Sequence, residues 1–195
     1  RREELLKFLR LPEPLLPFLD CYDLGVLKYI SPTLHEVIAD SDSHDEFLRY
    51  MQNFHDQFVD LESPLELFAT LALAVFRAKF ERDTHKPLKS SEILENQKFV
   101  DFIKTELGMF NHEQMLFAKA IAKQNSLLQA DNFIRKGERR QLALMRSEAF
   151  PLALKIARRD YSLSGEELHF WHSRYLELQP KLEEIQGGQK NKRPR

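Results

Sequence analysis

"SPLELFATLALAVFRAKFER", residues 63–82, is the stretch whose reading decides the fold. From Leu65 to Phe76 its only charge is Glu66. A bilayer span needs roughly 18 or more apolar residues, so this run is too short to cross a membrane. Ser63 followed by Pro64 is a helix-start signal: a hydroxyl to accept an orphan backbone N–H, then a ring whose fixed φ suits the first helical position. The stretch is therefore expected to be a helix, apolar on all sides and buried by other helices.

The rest of the chain supplies those helices. Helical patterns cover 3–10, ended by Pro12, and 14–22, stopped by Gly25. Ser31-Pro32 opens another to about Ala39. Ser43 with Glu46 reads as a capping box for a helix running to about Leu61. After the polar connector 83–90, Ser91 caps a helix to Leu107, stopped by Gly108. Asn111 opens one to about Arg135, and Gly137 separates it from 139–146. Further helices are expected over 147–159 and, capped by Ser164, to about Ile185. No segment alternates like a strand, and 6 glycines in 195 residues leave little material for hairpins. The expected class is all-α, a multi-helix bundle. It is either continuous or divided into a helical body subdomain (1–82), the connector (83–90) and a helical C-terminal subdomain (91–185), with a basic flexible tail (186–195). The chain has no initiator Met and opens inside a helical pattern, so it is expected to be a piece of something longer. Its one cysteine, Cys21, excludes internal disulfides and points to a reducing compartment, the cytoplasm.

Two catalytic readings need weighing. The stretch 41–60, "SDSHDEFLRYMQNFHDQFVD", holds His44-Asp45 and His55-Asp56, and His-Asp pairs serve metal-dependent phosphohydrolases. On one helix the pairs would stand about 16 Å apart, too far to share an ion. The stripe of Phe47, Leu48, Met51, Phe54 and Phe58 instead reads as a core face flanked by both histidines. His35-Glu36 lacks a second His at position 39, which is Ala, so no zinc-protease motif forms. His169 and His172 are spaced to clamp a metal, but no third ligand accompanies them. Beside Trp171 they read as aromatic helix packing. No phosphate-cradling Gly loop or nucleophile elbow occurs.

Charge is more informative. The net charge of −1 conceals a segment, 119–160, with 10 Lys and Arg against 4 Asp and Glu, inside a chain whose first 118 residues carry 13 against 21. Its centre, "NFIRKGERRQLALMRSEAFPLALKIARRDYS" (132–162), holds Arg135, Lys136, Arg139, Arg140, Arg146, Arg158 and Arg159. Guanidinium favours bidentate contact with phosphate. Charge alone leaves two readings open: a surface for the phosphates of RNA, or a basic face that pairs with the acidic half.

The opening "RREELLKFLRLPEPLLPFLDCYDLGVLKYISPTLHEVI" resembles the body region of bacterial poly(A) polymerases, class II nucleotidyltransferases related to the tRNA CCA-adding enzymes. Glu4, Leu5, Leu6, Lys7, Phe8 and Leu9 match an acidic-basic helix of that family, and Leu24-Gly25-Val26-Leu27 and Pro32-Thr33-Leu34 continue the likeness. The apolar stretch from Ser63 is similar to the family's long helix after the body. Residues 133–160 resemble its arginine-bearing module, with Ser147–Phe150 as the link, and "LHFWHSRYLEL" (168–178) its terminal helix. The resemblance covers nearly the whole chain. It implies an RNA-binding body and C-terminal region that partners a catalytic head, in a parent that adds AMP from ATP to RNA 3′ ends with Mg²⁺. The head's D-x-D strand is missing here, and "RRDYS" (158–162) copies the letters of another head motif only at the end of a helix. The chain alone is thus expected to be inactive, with no cofactor of its own. The rival expectations are a divergent His-Asp phosphohydrolase and a helical protein-interaction module.

Overall fold

Ser63 and Glu66 cap the central helix reciprocally: the Ser63 hydroxyl accepts from the Glu66 N–H, and the Glu66 carboxylate accepts from the Ser63 N–H, each at 3.2 Å. The computed structural model describes residues 1–55 and 63–190, with the side chains of 184–190 set aside. Within these residues the fold is all-α, without strands. The helices are α1 (Arg2–Leu9), α2 (Leu16–Asp23), α3 (Leu27–Ile30), α4 (Pro32–Ala39), α5 (Ser41–Gln52), α6 (Pro64–Val75), α7 (Ser90–Glu95), α8 (Gln97–Asp101), α9 (Asn111–Leu127), α10 (Ala130–Arg135), α11 (Glu138–Met145), α12 (Phe150–Arg159) and α13 (Gly165–Lys190). No helix among these residues is long and apolar enough to cross a membrane.

Every residue of α6 from Leu67 to Val75 is buried. A helix apolar all round can hide all its faces only at the centre of a bundle. Around it pack α1, α5 and α12, while α12 also lies along α9. Phe76, Phe99, Phe102 and Phe117 form an aromatic stack beside it, with centroids 5.0 to 6.4 Å apart, and residues from both sides of the connector share one hydrophobic cluster.

Polar ties cross the same boundary. Arg2 grips Glu113 through both outer nitrogens (2.9 and 2.7 Å) while its guanidinium lies between the rings of Phe68 and Phe110. It also donates to the carbonyl of Gly108, whose φ of +70° closes the turn before α9. Glu106 receives the hydroxyls of Ser31 and Thr33 and the Thr33 N–H. Two helices end in π-helical turns, Phe76–Phe80 after α6 and Phe102–Glu106 after α8. Each turn supplies a long-range polar anchor: Arg77 from the first, Glu106 from the second.

The structure differs from the sequence reading at several boundaries. The cap of α5 is Asp40, whose carboxylate accepts from the Ser43 N–H and hydroxyl. Ser43 is buried inside the first turn and is not the cap. That helix ends at Gln52, so His44 and His55 do not share it, and Asp56, Phe58 and Asp60 lie outside the described residues. The helix expected over 92–107 breaks at Asn96, whose side chain caps α8 through the Phe99 N–H. The helix expected from Asn111 to Arg135 breaks at 128–129, giving α9 and α10. The last helix runs on to Lys190, through residues expected to belong to the flexible tail.

Candidate nucleic-acid interface

The basic segment splits according to which helix carries it. In α12 the cations turn inward. Arg159 is 7% exposed and donates to the carbonyls of Asn53 and Phe54, holding the chain just past α5 against α12. Lys155 pairs with Glu66, the capping carboxylate of α6. Arg158, half-buried near the end of α12, acts on His172 of α13. Burial, Arg158 and His169 together lower the His172 pKa below its ordinary value.

Around Gly137 the cations turn outward. Arg135, Lys136, Arg139, Arg140 and Arg146 are all exposed. Among the described residues none of these five forms an ion pair. The nearest acid in sequence, Glu138, is engaged by Lys181 of α13 at 2.7 Å. Arg139 and Arg146 stand two turns apart on one face of α11, flanking Leu142 and Ala143 along an open groove of about 490 Å³. Gly137 precedes α11 without a side-chain cap, so its first N–H groups remain open beside the arginines.

An aromatic cluster lies beneath. Trp171 is fully buried, donates its indole N–H to the Leu127 carbonyl at 3.0 Å, and packs on Phe133, Phe150 and Phe170. Phe133 is the one buried residue of α10, so that helix hangs from this aromatic cluster. Gln141 locks the junction. Its amide donates to the carbonyls of Phe133, Ile134 and Lys136, and its oxygen accepts from Arg174 at 2.7 Å. Sequence reasoning missed Gln141; its one signal was a polar residue in helical phase with buried Met145, four positions on.

Of the seven cations singled out from sequence, five are exposed along 135–146, and Arg139 and Arg146 line one groove. Arg159 is spent on backbone carbonyls, a direction no charge count could reveal. The His-Asp constellation gains no geometry. His44 Nδ1 lies 2.9 Å from the Ile38 carbonyl and His55 Nε2 lies 2.8 Å from the Leu9 carbonyl, so each imidazole fastens a neighbouring segment, and Asp45 is exposed. Among the described residues no three His, Cys, Asp or Glu side chains converge as ligands.

The letters "RRDYS" hold the other feature that sequence left unread. Asp160 and Arg77 are buried and form a pair at 2.7 Å, with Arg77 Nε also directed at both carboxylate oxygens. Tyr50 donates its hydroxyl to Asp160 at 2.8 Å; burial and the adjacent carboxylate raise its pKa, so it stays protonated. The remaining Arg77 donors go to the carbonyls of Glu81 and Asp83. One aspartate thus joins α5, α12 and the turn that ends α6. Comparison with protein-family models, curated proteins and solved structures finds no match to this chain.

Proposed function

We propose that this chain is the RNA-holding helical body and C-terminal region of a nucleotidyltransferase similar to the class II poly(A) polymerases. The carrying observation is the outward cluster of Arg135, Lys136, Arg139, Arg140 and Arg146. These cations lack ion-pair partners among the described residues of a chain with surplus acid elsewhere. A basic face meant for internal pairing would have found that acid, as Lys155 does with Glu66. Unpaired guanidinium groups at a helix junction suit phosphate oxygens, which give affinity without reading sequence. On this reading the surface holds RNA while a separate catalytic head, with its ATP and Mg²⁺, adds AMP to the RNA 3′ end in the cytoplasm. On the same reading this chain's own task is binding.

Fluorescence anisotropy with a short single-stranded RNA tests the proposal. Five phosphate contacts imply a salt slope of about −3.5, so raising salt from about 50 to 200 mM weakens binding about a hundredfold. Absence of binding at about 50 mM salt overturns the RNA reading. One observation favours a protein-docking role as a second reading: Leu16, Leu24, Val26 and Tyr29 are exposed on and around α2 and α3, with Leu24 76% and Tyr29 74% exposed. Indifference to RNA together with a stable oligomer in light scattering would favour that role instead.

A further inference from the structure

Between the α10–α11 junction and α13 runs a second groove, of about 570 Å³, lined by Ile134, Gln141, Glu166, His169, Phe170 and Ser173. One side of it is the junction itself, where Gln141 donates to the carbonyls of Phe133, Ile134 and Lys136. Its floor is aromatic: Phe170 meets Phe133 edge-on at 6.3 Å, and both rest on Trp171. Ile134 is 57% exposed at the lip. An aliphatic side chain left in water on a short polar helix invites an apolar face to cover it.

The polar groups of this groove are wrong for phosphate. The outer nitrogens of Arg174 are both engaged, one by Gln141 and one by Glu177, each at 2.7 Å. The carboxylates of Glu166 and Glu177 also line the space and would repel an anion. They are right for a nucleobase, which brings a π-face for Phe170, Ile134 and His169 and amino or imino N–H donors for a carboxylate. The volume falls within the range of small-ligand sites. Arg135 and Lys136 follow Ile134 directly in the chain and are exposed, so cations stand next to the groove at the junction.

We infer that this groove is a base-stacking subsite for single-stranded RNA, in which one unpaired base enters between Ile134 and Phe170 while its flanking phosphate lies on Arg135 and Lys136. This rests on the RNA-binding reading above and adds that the protein takes hold of bases as well as backbone. Double-stranded RNA, whose bases are stacked on each other, would gain nothing from the groove.

The test compares a short single-stranded RNA with the same backbone carrying abasic sites, using the intact protein and an Ile134→Ala/His169→Ala double variant. Both substituted side chains are exposed, and a thermal melt checks that the variant folds. The intact protein should bind the base-bearing RNA about tenfold more tightly than the abasic strand. The variant should bind both alike, with an unchanged salt slope. Equal binding of the two strands by the intact protein, or survival of the gap in the folded variant, overturns the groove while leaving the phosphate surface standing. Failure of both strands to bind at about 50 mM salt overturns the RNA reading itself, and the subsite with it.

Discussion

Asp160→Ala is expected to destabilise the protein by about 3–5 kcal/mol, the cost of leaving a buried partner charge uncompensated. Arg77 is 1% exposed and has no route to water when its carboxylate is removed. Tyr50 loses its acceptor in the same step, and the end of α12 loses its hold on α5 and α6. For a domain of about this size, 1 kcal/mol moves the melting temperature by about 2–4 °C, so a drop of about 10 °C is expected. Asp160→Asn preserves the shape and an acceptor for Tyr50 but still leaves Arg77 unneutralised, so it should fall in the same direction by less. Replacing the whole network, with Arg77→Met, Asp160→Leu and Tyr50→Phe together, should recover much of the loss, since an apolar substitute for a buried ion pair is often neutral. Urea denaturation followed by circular dichroism measures all three. An unchanged midpoint for Asp160→Ala would show that the network contributes nothing.

Trp171→Ala is expected to have a comparable effect, about 3–5 kcal/mol, for a different reason: a large cavity at the centre of an aromatic cluster. Its consequences are local as well as global. Phe133 packs on the indole at 4.6 Å and is the only buried residue of α10. Removing the ring unseats α10, and with it the junction that presents Arg135 and Lys136. On the proposed RNA-binding reading, RNA affinity should fall although no cation has been touched. Trp171→Phe keeps most of the packing and loses the bond to the Leu127 carbonyl, at a cost of about 1–3 kcal/mol for the orphaned acceptor. The two variants thus separate volume from hydrogen bonding. If Trp171→Ala melts like the parent protein, the view of the cluster as the support of the site is wrong.

These two residues mark the limit of what the sequence discloses. Backbone punctuation is local and was readable: Ser31-Pro32, Ser63 with Glu66, Ser164, Gly25 and Gly108 each act within a few residues of themselves, and each stands where the pattern places it. The all-α class follows from such signals. Competing local signals were not resolvable. Asp40 and Ser43 can both cap a helix, and the choice between them depends on Ser43 being buried against the Val37 carbonyl. Least readable was the direction of long side chains. Arg139 and Arg159 are alike in composition and local charge, yet one faces water and the other two backbone carbonyls. That difference is set by which helix packs alongside: α12 lies against α6 and α9, while α11 packs on α13. Asp160 was hidden for the same reason, since its partners lie 83 and 110 positions away.

The widened turn at Phe76–Phe80 also bears on which changes of chain length the fold can absorb. A π-turn holds about one residue more than the α-helical ladder around it, and each residue of an α-helix advances the side chains by about 100°. Deleting one residue from 76–80 would tighten the ladder and swing Arg77 off Asp160, so such a deletion should fail to yield a stable protein in an expression and melting assay. A deletion within the exposed stretch 85–87, beyond the Asp83 carbonyl that Arg77 holds, changes only a loop and should be tolerated. Length variation among relatives of this chain is thus expected to gather at the connector and to spare the two widened turns.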